Sequence, residues 1–161
     1  MGIICCLQAI NQDAYKDIAN GDEQVLEELV EDDDADDSFN FDRTWDGIDY
    51  LIGKTSAGRN ALLTFLKTGG IEIEYNNMGS AVDTVRAFSL QEVYEIEKAL
   101  VSISEHEFRS NFDSEEMNAD VYPQTFHYDG ALDDLCADFF ELRDFLSEAR
   151  GANKALLVWF A

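Results

Sequence analysis

Apolar positions along the chain change period several times, and each change marks a predicted element. Residues 2–10 open with Ile3-Ile4-Cys5-Cys6-Leu7 and read as a strand, half apolar and β-branched at its start. Asn11 is placed to cap a short helix through Ala19, stopped by Asn20-Gly21. Asp22 opens a second helix, with Val25, Leu26, Leu29 and Val30 on one face. Trp45, Ile48, Leu51 and Ile52 recur at i, i+3, i+6 and i+7, the stripe of an amphipathic helix. Ala61 to Leu66 predicts another short helix, ended by Thr68-Gly69-Gly70. Ile71-Glu72-Ile73-Glu74-Tyr75 alternates strictly, as in a half-exposed strand with its acids outward. Residues 76–82 read as a loop of Gly, Asn and Ser.

Capping signals organise the second half. Ser89 with Glu92, and Ser104 with Glu107, have capping-box spacing, in which the serine side chain takes a backbone N–H and the glutamate reaches back. They predict helices over roughly 90–102 and 105–112. Asp113 to Glu116 looks like a further helix start, and Tyr122-Pro123 breaks the pattern. Leu132, Leu135, Cys136, Phe139, Leu142 and Leu146 then define a long amphipathic helix, about 131–149. Its outer face carries Asp133, Asp134, Asp138, Glu141 and Asp144, and Gly151 is read as its stop. Lys154 to Phe160 closes the chain as an apolar strand able to pair with the N-terminal one. At 161 residues the chain is about one domain long. The expectation is a single α+β domain over 1–161, mostly helical, around a small sheet that includes the N- and C-terminal strands.

Charge changes the functional picture more than the fold. Asp and Glu number 34 against 11 Lys and Arg, a net charge of −23. Twelve acids lie between Asp17 and Asp42, with no Lys or Arg between Lys16 and Arg43. The run Glu31-Asp32-Asp33-Asp34-Ala35-Asp36-Asp37 is therefore expected to be a solvated loop. This balance argues against nucleic acid, whose phosphates need Lys and Arg, and against anionic membranes. No apolar run approaches the ~20 residues of a membrane span, and the N-terminal run lacks a signal peptide's length and basic flank. Three cysteines without regular spacing, Cys5, Cys6 and Cys136, are expected to stay reduced, as in a cytoplasmic protein. Gly2 does not meet the acylation pattern, because Cys6 stands where Ser or Thr is needed.

Motifs for chemistry fail on spacing. Gly53-Lys54-Thr55-Ser56 resembles the end of a phosphate loop, but Ile48 occupies the required upstream glycine position, so Gly53 is read as a helix C-cap. His106-Glu107 starts a zinc-protease motif that Ser110 does not complete. Asp32, Asp34 and Asp36 alternate as in a calcium loop, but Asp37 and Arg43 replace its Gly and Glu. Cys136 lies on the apolar stripe and is read as a core residue. No metal, no cofactor and no enzymatic activity are expected.

Several segments together carry a resemblance. They are Met1-Gly2-Ile3-Ile4; Trp45-Asp46-Gly47-Ile48-Asp49-Tyr50-Leu51-Ile52-Gly53, followed by Leu62-Leu63 and Gly69-Gly70; Arg86-Ala87-Phe88-Ser89 leading into Glu92-Val93; and Phe112-Asp113, Met117 and Tyr122-Pro123. In order and spacing, over essentially the full length, the chain resembles the YfbM-like family, a bacterial domain of unknown function. In that family the Trp segment usually reads Trp-x-x-Leu-His; here Ile48 and Asp49 replace Leu-His. The family's Tyr-Gly-Pro before the Arg is also absent, since Gly79-Ser80-Ala81-Val82 stands there. The resemblance implies a bacterial cytosolic single domain and supplies no reaction.

Two classes of function follow as expectations. The first is an acidic interaction protein, an immunity protein that neutralises a basic bacterial toxin by blocking its active site. The toxin would act on nucleic acid or nucleotides, and Glu28, Glu31, Asp32, Asp33, Asp34, Asp36 and Asp37 would face it. YfbM-like domains are similar to proteins found beside such toxins. The alternative is a small-molecule-binding or enzymatic domain with a pocket near Trp45, Arg86 and Tyr122, the residues on the family's motifs. The structural counterpart makes Trp45 a core residue, Arg86 part of a buried ion pair and Tyr122-Pro123 a rigid turn. A third possibility is that acidity serves solubility alone.

Overall fold

The two terminal strands pair antiparallel, Cys5 opposite Phe160 and Ile10 opposite Ala155, in a computed structural model that describes residues 2–32, 36–75 and 82–161. They belong to a five-stranded sheet: β1 (Cys5–Ile10), β2 (Ser38–Phe41), β3 (Ile71–Glu74), β4 (Thr84–Phe88) and β5 (Ala155–Phe160). Its order is β2-β1-β5-β4-β3, with every neighbouring pair antiparallel. Among the described residues seven α-helices cover it: α1 (Gln12–Ala19), α2 (Glu23–Val30), α3 (Trp45–Lys54), α4 (Leu90–Val101), α5 (Glu105–Ser110), α6 (Ser114–Asp120) and α7 (Ala131–Gly151). The fold is a single α+β domain, as its sequence pattern indicates.

The central strands β1, β5 and β4 are buried on both faces. Cys5, Leu7 and Ala9 join the larger core formed with α3 to α7, while Cys6 and Ile10 face the smaller core under α1 and α2. Alternate side chains of one strand point to opposite faces. That is why β1 and β5 are apolar almost throughout. All three cysteines are free and buried. On the larger side α7 lays Leu135, Phe139, Leu142 and Leu146 inward, each 1% exposed or less.

The caps form largely as the sequence predicts. Asn11 accepts from the Ala14 N–H at 2.8 Å and Asp22 from the Val25 N–H at 3.1 Å. Ser89 and Glu92 make the reciprocal box. Ser104 also accepts from the Glu107 N–H, but the Glu107 carboxylate turns away to accept the Ser56 N–H at 2.6 Å. Glu107 thus ties α5 to the turn after α3, and that backbone donor holds its carboxyl below the usual value.

Several boundaries differ from expectation. Two strands, β2 and β4, are not apparent in the pattern: β2 has only four residues at the end of the acidic run, and β4 carries Arg86 at its centre. The helix expected over 61–66 is a 3₁₀ turn, Ala61–Thr64, preceded by another at Ser56–Arg59. Gly53 lies inside α3, whose C-cap is Thr55, and Gly151 lies inside α7. The left-handed residue that follows α7 is Asn153, with φ 54°. Most of the loop expected over 76–82 lies outside the described residues.

Candidate functional site

Trp45 and Tyr122 are brought together, far apart though they are in sequence. Trp45 opens α3, and its ring stacks on Tyr122 at 5.5 Å and tilts against Phe160 at 4.8 Å. The Trp45 indole N–H donates to the Ile3 carbonyl at 3.0 Å, and the Ile3 N–H donates to the Tyr122 hydroxyl at 2.9 Å. Both rings thereby hold the segment leading into β1. Asp46, the next residue of α3, accepts the Tyr122 N–H at 2.8 Å.

Charged side chains extend this cluster. The Lys67 ammonium pairs with Asp46 and lies 3.2 Å from Asp49, one turn further along α3. It also stands 5.8 Å from the Trp45 ring centre. Burial pushes the Asp49 carboxyl up, against the pull of Lys67. Burial pulls the Lys67 ammonium down, but the two carboxylates outweigh it and the net displacement is upward. Arg86, only 5% exposed on β4, makes no pair with a carboxylate among the described residues. Its guanidinium donates to the Phe65 carbonyl at 2.7 Å and to the Leu66 carbonyl. It therefore fixes the chain just before Lys67, where an ion pair was expected. Trp45 and Tyr122 are joined through Asp46 and Lys67, whereas Arg86 contacts the chain just before Lys67 by way of the Phe65 and Leu66 carbonyls. Asp46, Asp49 and Lys67 were missed. Their sequence trace is a pair of acids three apart in a helix. Chemically the network fastens α3, the 65–67 segment and the turn at 122 to one another.

The acidic segment occupies the other side of the sheet. Glu28 lies exposed on α2 and accepts from Gln24 at 3.2 Å. Glu31 and Asp32 follow the helix end, both exposed, and Glu31 accepts the Tyr75 hydroxyl at 3.2 Å. Asp36 and Asp37 are exposed just before β2, where the Asp37 carbonyl accepts the Ala9 N–H at 2.9 Å. The Asp37 carboxylate pairs with Lys154. Asp33 and Asp34 lie outside the described residues.

Beside this segment is a cleft of about 320 Å³. Buried Cys6, Gln8, Val82 and Trp159 form its inner surface, and the exposed Glu31, Asp32, Ser38 and Asn40 its rim. A second cleft, of about 410 Å³, shares Gln8 and Asp32 and reaches Asp36, Asp37 and Lys154. Burial pushes the Cys6 thiol up to about 11, so it stays protonated at neutral pH and offers no nucleophile. Cys136 is likewise buried in the core, its thiol raised mainly by burial. Among the described residues no group of three or more His, Cys, Asp or Glu is placed to hold a metal ion. No described helix is long and apolar enough to cross a membrane. The acidic side thus presents exposed carboxylates beside two clefts.

Comparison with known proteins agrees with the fold. No curated protein matches the chain. Among solved structures, the crystal structure of a protein of unknown function, YfbM from Escherichia coli, is similar with a TM-score of 0.73 at 16% identity. The likeness covers 98% of this chain and 99% of that one, and at such identity it shows a shared fold. The family model described as domain of unknown function (DUF1877) matches residues 1–159. With its motifs, its matched length and its architecture in agreement, the chain belongs to the YfbM-like family of domains of unknown function, DUF1877.

Proposed function

We propose that this chain is an acidic interaction protein, an immunity protein that binds a basic bacterial toxin domain and covers its active site. One observation carries the reading. Glu28, Glu31, Asp32, Asp36 and Asp37 follow one another, all exposed, from α2 to the edge strand β2. The stretch from Asp17 to Asp42 that contains them has no base of its own. An enzyme that acts on nucleic acid or nucleotides needs a basic substrate channel. A carboxylate-rich surface attracts such a channel over a Debye length of about 10 Å at 0.1 M salt, and occupies it in place of phosphate.

The catalytic alternative has less to stand on. Trp45, Tyr122 and Arg86 spend their polar groups on backbone partners of their own chain. Acidity for solubility alone predicts no partner at all. The test is to co-express the chain with a basic domain encoded beside its gene. Co-elution that high salt weakens, with loss of the basic domain's activity, supports the reading. Separate elution with that activity intact overturns it.

A further inference from the structure

We infer that the outer edge of β3 takes up an extended, basic strand of the partner, which adds to the sheet; this deepens the interaction reading and rests on it for the identity of the partner. β3 ends the sheet order and pairs with β4 alone. In an antiparallel ladder, residues that exchange hydrogen bonds alternate with residues whose N–H and C=O point the other way. The Tyr75 N–H donates to the Asp83 carbonyl at 2.8 Å, so by the register Ile73 and Ile71 belong to the set bonded to β4. Glu72 and Glu74 turn their backbone groups outward, and these make no hydrogen bond to any described residue. On the opposite edge strand, β2, the outward residues are Ser38 and Asn40, and Ser38 already has a partner.

The side chains define which strand fits. On one face Ile73 packs on the smaller core, whereas Ile71 stays 40% exposed. On the other face Glu72 and Glu74 are exposed, and neither forms a salt bridge among the described residues. Arg86, opposite Glu72 in the register, is within reach of that carboxylate's charge, but its donors go to the Phe65 and Leu66 carbonyls. Antiparallel pairing of two β3 strands would set glutamate opposite glutamate, between chains of net charge −23 each. Like charges directly opposite repel, so a second copy is a poor occupant. Charged edge strands generally keep other strands off. Here the guard has one sign, so it admits a strand with Lys or Arg at alternate positions. Its intervening β-branched residues lie beside Ile71 and Ile73 and cover the exposed Ile71. The edge also ends near the acidic segment, since Tyr75, the next residue, donates its hydroxyl to Glu31 at 3.2 Å. A basic partner steered to that segment arrives at the end of β3.

The experiment follows hydrogen exchange of the Glu72 and Glu74 amides of the full chain by NMR. The probe is the acetylated, amidated peptide Lys-Val-Lys-Val-Lys-Val. One control is its glutamate counterpart, and another carries N-methyl groups on the lysine backbone nitrogens, which keeps the charge and removes the ladder donors. With the lysine peptide at about ten times its Kd, exchange of both amides should slow about tenfold. Neither control should slow it. Glu72→Lys with Glu74→Lys, both at exposed positions, should weaken the lysine peptide about tenfold and admit the glutamate peptide. Unchanged exchange with the lysine peptide, or equal protection by either control, overturns the strand site. Amides already slow in the free monomer, or slowed by dimerisation without peptide, overturn the basic occupant. Peptide protection without co-elution of the basic domain keeps the strand site and removes the immunity reading. A complex with that domain in which both amides still exchange fast, and no peptide binding, keeps that reading and removes the strand site.

Discussion

Replacing Phe139 with alanine should remove a large share of the protein's stability. The residue is fully buried on α7. Its ring stacks on Phe108 at 4.3 Å with 12° between planes, and meets Phe140 at 5.6 Å and 57°. Truncating a buried phenylalanine costs about 3–5 kcal/mol, from lost transfer energy and the cavity left behind. The close stack on Phe108 places this site in the upper half of that range, since such pairs are worth about 0.5–1.5 kcal/mol beyond their area. The Arg143 guanidinium, 5.7 Å from the Phe139 ring, keeps Phe140 at 5.1 Å and so loses little. A loss of about 4 kcal/mol from a total of about 5–15 kcal/mol leaves a marginal protein. With a urea dependence of about 1–3 kcal/mol per molar, the unfolding midpoint should drop by more than about 1 M. The control is Glu141→Gln with Asp144→Asn, both exposed on the outer face of α7, which should leave the midpoint unchanged or raise it by relieving repulsion. Asp133, Asp134 and Asp138 do not suit that control, because they accept hydrogen bonds from Arg109, Tyr128 and Thr44. A loss below about 1 kcal/mol for Phe139→Ala, or equal losses in both variants, would refute the packing argument.

Four further variants have expected outcomes. Burial raises the Asp49 carboxyl above its usual 3.8, so between that value and its folded one the native state holds the extra proton, and its contribution to stability falls as pH rises. Asp49→Asn should therefore gain stability relative to the parent as pH rises through that window, measured by urea midpoints; a constant difference between the two would show that burial is not the controlling effect. Ser89→Ala should cost about 0.5–2 kcal/mol, because it removes the acceptor of the Glu92 N–H at 3.2 Å and unbalances the box; calorimetry checks it, and no change in Tm would contradict it. Gly53→Ala should raise Tm, by a gain of up to ~1 kcal/mol in helix propensity, since a Cβ there meets nothing within 4 Å; Gly58→Ala should lower it, since a Cβ there comes within 2.5 Å of the Gly53 carbonyl oxygen.

Most of the architecture was legible because it rests on local chemistry. Side chains three and four apart defined α7, and Asn11, Asp22, Ser89 and Asp113 marked helix starts that form as read. The pairing of the terminal strands followed from two apolar runs with opposite ends of the chain to tie down. What escaped depends on contacts distant in sequence. Strand β4 was hidden by Arg86, a residue that sheet interiors rarely bury, and it becomes tolerable only because the Phe65 and Leu66 carbonyls arrive to accept its protons. Glu107 has the spacing of a capping box, but Ser56, 51 residues away, offers its N–H instead. In the candidate sites, the acidic segment was visible from charge alone. The Asp46–Lys67–Asp49 chain and the cleft at Gln8 were not, because each is assembled from separate elements. Gln8 inside an apolar strand was the one trace of the cleft that the sequence carried.

If the acidic segment steers a basic partner, the association rate of their complex must depend on it. The measurement is the association rate constant against salt, for the parent chain and for the variant with Asp32, Asp33, Asp34, Asp36 and Asp37 all changed to Asn. From 0.1 M to 1 M salt the screening length shrinks from about 10 Å to about 3 Å. The parent's on-rate should fall steeply over that range, while the variant should associate more slowly at low salt, with a shallower slope and a dissociation rate changed far less. Identical on-rates and identical slopes would contradict the account and leave the segment a solubilising loop.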